Sequence, residues 1–171
     1  MTQAVRPIPE GFHSVTPHLV CMGEGASAAL AFYAKAFGAV EISRMPGPGG
    51  KLMHAQMRVG DSFIMLADHF PEFGSFPVAE GASPVFVHLY VPDTDAVYQA
   101  ALAAGATSLL APNDMFWGDR YAMVADPFGH RWSIATHQRD LTPEQMREEM
   151  MKMPGGMPHE CPGNEANGGQ Q

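Results

Sequence analysis

Two short runs of the chain carry the same pattern: SVTPHLVC at 14–21 and PVFVHLYV at 84–91. Both alternate as a half-buried strand does, and both place a histidine fifth, which makes His18 and His88 counterparts. Imidazole titrates near neutrality, so two such rings facing one space can trade protons with a bound molecule or share an ion. The same comparison sets His54, in KLMHAQM, opposite Arg120, in WGDRYAM. A guanidinium grips a carboxylate or phosphonate through paired N–H donors, and an imidazole beside it can act as general acid or base. His54, His88 and Arg120 are therefore the candidate catalytic residues, with His18 beside them. The competing reading makes His54 and His88 polar groups hydrogen-bonded within a sheet, and pairs Arg120 with Asp119 or Asp126 at a rim.

Elements that would position these residues follow from the repeat. Each histidine-bearing strand precedes a helical pattern, GASAALAFYAKAFGA and then DTDAVYQAALAAGA. Both patterns end in the glycine expected just past a helix C-terminus, and Asp93 or Thr94 should cap the second. Three further strands follow each helix, at about 39–45, 51–59 and 62–68, then 106–111, 119–125 and 130–136. PGPGG, Gly60-Asp61, Pro112-Asn113-Asp114 and Asp126-Pro127-Phe128-Gly129 supply the turns. The expected architecture is α+β, a βαβββ module at 12–68 and another at 83–137, joined by the linker 69–82 and forming one domain over 12–137. Residues 1–11 extend it at one end. At the other, 138–171 holds a short helix opened by Thr142-Pro143-Glu144 and a Met/Gly/Pro-rich tail with little to bury.

The tandem modules, with HSVTPHLV, AFYAKAFGA, RMPGPGGKLMHAQMRVGDSFIMLAD, VHLYVPDTDAV and GDRYAMVADPFGHRWSIATH, resemble the vicinal oxygen chelate superfamily, that is the glyoxalase, bleomycin resistance and dioxygenase proteins, and its PhnB-like branch most. The resemblance spans about 12–137 and implies a curved, cup-like mixed sheet around a cavity. In many members that cavity holds a divalent metal, ligated from the first and last strand of each module by His, Gln or Glu. Counting back from the strand ends places those four positions at Thr16, Met65, Phe86 and Ser133, none of them a good ligand. No residue is thus assigned to a metal and no cofactor is required. His18 and His88, one alternation further along each leading strand, remain the pair through which a divalent ion would enter.

Apolar and soft residues supply the rest of an organic pocket: Phe63, Met65, Phe86, Phe116, Trp117 and Trp132, with Thr16, His18 and Ser133 as polar contacts. Trp132 has core as its alternative, and Leu30, Phe32 and Phe37 are core by helical spacing. Phe116-Trp117-Gly118 reads as a lid or a dimer contact, and His130, leaving a tight turn, as exposed. In the tail, Met146, Met150, Met151, Met153 and Met157 with His159 and Cys161 are soft donors for Cu(I) or, with more weight, apolar packing.

Composition excludes several classes. Ten Lys+Arg against 18 Asp+Glu give −8, which disfavours nucleic acid and anionic membranes as partners. No apolar run is long enough to cross a bilayer, and MTQAVRPIPEGFHS lacks the apolar core of a secretory signal, so a cytoplasmic location is expected. Cys21 and Cys161 form no disulfide framework. Three functions stay open: an enzyme acting on a small oxygen-rich or aromatic metabolite, a binding protein that sequesters a ligand as bleomycin-resistance proteins do, and a structural interaction module that uses its exposed sheet edges. The resemblance also implies a homodimer.

Overall fold

The computed structural model describes residues 7–9, 11–73 and 83–152. Its first module runs β1 (His18–Cys21), α1 (Gly25–Phe37), β2 (Val40–Pro46), β3 (Leu52–Val59) and β4 (Ser62–Asp68). The second repeats the order with β5 (Phe86–Tyr90), α2 (Thr94–Ala104), β6 (Thr107–Asp114), β7 (Asp119–Ala125) and β8 (Arg131–His137), and α3 (Pro143–Lys152) follows. Each module builds a four-stranded mixed ladder, in the order β1-β4-β3-β2 and β5-β8-β7-β6. In both, the leading strand lies parallel to the last one. Residues of β1 and β5 line one groove, the seam between the two ladders.

Strand alternation divides every residue between a helix-covered face and an open face. Leu19, Ala55, Met57, Ile64 and Leu66 are buried beneath α1, whose Ala26, Ala29, Leu30, Tyr33 and Ala36 make an apolar stripe at helical spacing. Ala122, Val124, Trp132 and Ile134 are buried in the same way in the second module, with Val87 and Leu89 half-buried against them, and α1 packs on α2, so one apolar cluster runs through both. Asp93 caps α2 by accepting from the Ala96 N–H. Thr142 and Gln145 exchange side-chain to backbone bonds at the start of α3. That helix buries none of its residues.

The turn before β8 binds the modules together. Asp126 accepts from the Phe128 and His130 N–H groups (both 2.9 Å), from Trp132 Nε1 (2.9 Å) and from the Tyr33 hydroxyl of α1 (2.7 Å). Phe128 lies against Phe32 and Tyr33. His130 is not exposed as the sequence suggested: its ring turns inward and Nε2 stands 3.1 Å from the Val20 carbonyl across the seam. The middle of the linker and the tail from 153, with the soft residues placed there, lie outside the described residues.

Candidate functional site

Strand pairing sets the open face out in rows. In the first module His18 pairs with Met65 and Met65 with Gln56, while His54 follows one alternation along β3. In the second, His88 pairs with Ser133 and Ser133 with Met123, then Tyr90 with Ala135 and Ala135 with Tyr121. His18 and Met65 thus correspond to His88 and Ser133. The first-strand positions counted as Thr16 and Phe86 fall two residues short of these rows, because each strand begins later than the sequence count assumed. Thr16 instead helps to wall a hollow of about 460 Å³ with His13, Gln56 and Met65, beneath the N-terminal segment. Phe86 lies on the seam with the Arg131 guanidinium 5.8 Å over its ring.

Arg120 departs from its expected role. The ladder makes Tyr121, not Arg120, the counterpart of His54, since Ala55 pairs with Leu66 where Ala122 pairs with Ile134. A slip of one residue carries a side chain through the sheet. Arg120 therefore lies on the helix-covered side, where Nε and Nη2 reach Asp95 of α2 at 2.8 Å and Nη1 reaches Asp114 at 3.3 Å. Neither rim partner suggested by the sequence is used. Trp132 packs on Tyr33 and Phe37 in the core, the alternative its sequence left open, and also borders a groove along the seam.

Two grooves of about 490 and 460 Å³ flank the seam and share Pro17, Val87 and His88. The first brings His18 together with Phe86, His88 and His130. The second continues past Thr16 and Phe63 to Leu89 and Tyr90. His88 stands where they meet, its Nδ1 2.7 Å from Ser133 Oγ. Burial holds His88 below the ordinary imidazole value against the opposing pull of Asp119. Burial, reinforced by the neighbouring His54, lowers His18 as well. The His18 and His54 rings meet edge to face at 5.6 Å. Neutral imidazoles at pH 7 keep lone pairs for accepting protons or binding an ion.

A cluster missed in the sequence lies along the second module's open face. Asp119, 4% exposed, accepts from the Tyr90 hydroxyl and Trp117 Nε1, both at 3.1 Å, and lies 2.8 Å from His137 Nδ1. His137 Nε2 reaches Asp140 at 3.0 Å. Trp117 stands edge-on to Tyr121 and to Phe116, so the loop aromatics serve this cluster and fold over no groove described above. The available signal was the spacing of Tyr90, Asp119 and His137, all on one face once the β7 register is right.

A family model for the glyoxalase/bleomycin resistance protein/dioxygenase superfamily matches residues 16–134. The chain belongs to this superfamily. An uncharacterized protein of Mycobacterium bovis is 44% identical over 147 residues, covering 84% of this superfamily member and 95% of its own length. Among solved structures, a gene product of Arabidopsis thaliana is similar at 25% identity with a TM-score of 0.60, over 72% of this chain and 98% of its own. A PhnB protein from Bacillus cereus, described as a putative 3-demethylubiquinone-9 3-methyltransferase, shares the fold at 16% identity, with a TM-score of 0.59 over 72% and 99% of the two chains.

The superfamily's divalent metal does not fit the residues present. First- and last-strand positions hold His18, Met65, His88 and Ser133: two imidazoles, a thioether and a hydroxyl, with no carboxylate. Among the described residues no three His, Cys, Asp or Glu side chains group to hold a metal. Chelation of a substrate's vicinal oxygens needs a hard or borderline ion held by three or four nitrogen and oxygen donors, usually with a carboxylate among them, and a thioether and a neutral hydroxyl beside two imidazoles make a poor set for it.

Proposed function

We propose that this glyoxalase-like protein, of the PhnB-like branch, binds a small oxygen-rich or aromatic metabolite in the seam between its modules and exchanges protons with it through His88. The convergence of His18 and His88 on one apolar-walled groove carries the reading, because a pocket with a few placed polar groups is the ordinary form of a small-molecule site. Ser133 orients the His88 ring, and the opposite nitrogen, Nε2, is the atom offered to the ligand. Arg120 takes no part, since its charge is spent on Asp95 and Asp114. Ligand-detected magnetic resonance with a panel of small carboxylated, hydroxylated and aromatic metabolites tests this. Binding or turnover of any hit should fall at least about tenfold on His88→Ala with the melting temperature held. Hits indifferent to both His88 and His18 would remove the proposal.

Sequestration without chemistry is the second reading, favoured by the donor set lacking a carboxylate and by Phe86, 41% exposed in the groove. It predicts stoichiometric binding that survives His88→Ala and fails on Phe86→Ala, with the ligand recovered unchanged. A cytoplasmic homodimer completes the proposal. Supporting the dimer is edge strand β2, exposed throughout and presenting Val40, Ile42 and Met45.

A further inference from the structure

The donor set that disqualifies a hard divalent ion has its own chemistry. On the first module's open face, Met65 of β4 lies between His18 of β1, its direct partner, and Gln56 of β3, with His54 one alternation beyond. Ala67, the next open-face residue of β4, is small and leaves the two imidazoles room to lean together over the strand. Their centroids are 5.6 Å apart with the planes at 81°. A ring nitrogen ligates at about 2.0 Å, so two imidazoles sharing one ion hold their centroids about 5 to 6 Å apart. The observed separation falls in that range, and His54 Nε2 stands 3.4 Å from Gln56 Nε2, a loose contact that an ion could displace.

We propose that His18, His54 and Met65 form a site for Cu(I). Two nitrogens and one thioether leave little choice of metal. Mg²⁺, Ca²⁺ and Mn²⁺ need oxygen donors, and Zn²⁺ favours four ligands that include thiolate, carboxylate or a third imidazole. Cu(I) is soft, accepts two or three ligands, and selects thioether sulfur. Of the three proposed ligands, Met65 lines the hollow under the N-terminal segment, together with His13 and Gln56. The site lies within one module and leaves out His88, so it differs from a chelation site shared across the seam.

Anaerobic titration of the full-length chain with Cu(I), against bicinchoninate as competitor, is the direct test. It is run on a Cys161→Ser background because the tail also carries soft donors. One equivalent should bind, and His18→Ala, His54→Ala and Met65→Leu should each weaken it by about tenfold or more. X-ray absorption should show two nitrogens and one sulfur. His88→Ala should leave the affinity unchanged, which separates this site from the organic ligand site. Equal Cu(I) affinity in all three variants would overturn the proposal, as would Zn(II) binding to the same residues at least as tightly. Met65→Leu conserves volume and keeps the test decisive should a histidine variant fail to fold.

Discussion

His137 stands between Asp119 at 2.8 Å and Asp140 at 3.0 Å, and these two carboxylates, Asp119 foremost, raise its affinity for a proton. A histidine whose folded value is raised contributes stability that is fully present below its ordinary value of 6.5 and is lost as the pH climbs through the folded value. The melting-temperature gap between the wild type and His137→Gln should therefore be wider at about pH 5.5 than at about pH 9. An equal gap at both would show that the imidazolium does not hold this corner. His18 and His88 have the opposite sign. Their folded values are lowered, so their contribution is present above 6.5 and is lost as the pH falls from there through the lowered values.

At the scale of elements, the turn from Asp126 to His130 does more than reverse the chain. One carboxylate receives two backbone N–H groups, the Trp132 indole and the Tyr33 hydroxyl, linking the start of β8 to a helix of the other module. Removing that acceptor leaves several buried donors unpaired, and Asp126→Ala should cost about 3 kcal/mol or more in chemical denaturation. A loss under about 1 kcal/mol would mean that water replaces the carboxylate. Sequence alone showed this turn and the order of the elements, because Asp-Pro, glycine and the change of hydrophobic period are local signals. It did not show the β7 face. KLMHAQM and WGDRYAM align equally well one residue apart, and only the ladder between β7 and β8 puts Tyr121 over Arg120 on the open side. Trp132 stayed open between pocket and core, since an aromatic on a strand looks alike whether it faces ligand or helix.

For the whole molecule, internal duplication was the legible fact, and it brought His18 and His88 to a common seam as the repeat implied. The Asp119 cluster stayed hidden because its members come from three strands and meet only when the sheet forms. The modules are joined by more than the linker. Phe128 rests on α1, the Met22 N–H donates to the Phe128 carbonyl at 3.2 Å, and His130 reaches Val20. None of these ties needs an intact chain between Phe73 and Ser83. Two separately expressed fragments, parted in that stretch, should recognise each other and copurify with the spectrum of the parent. Fragments that stay apart would show that covalent continuity, rather than the aromatic clasp behind β8, makes one body of two halves.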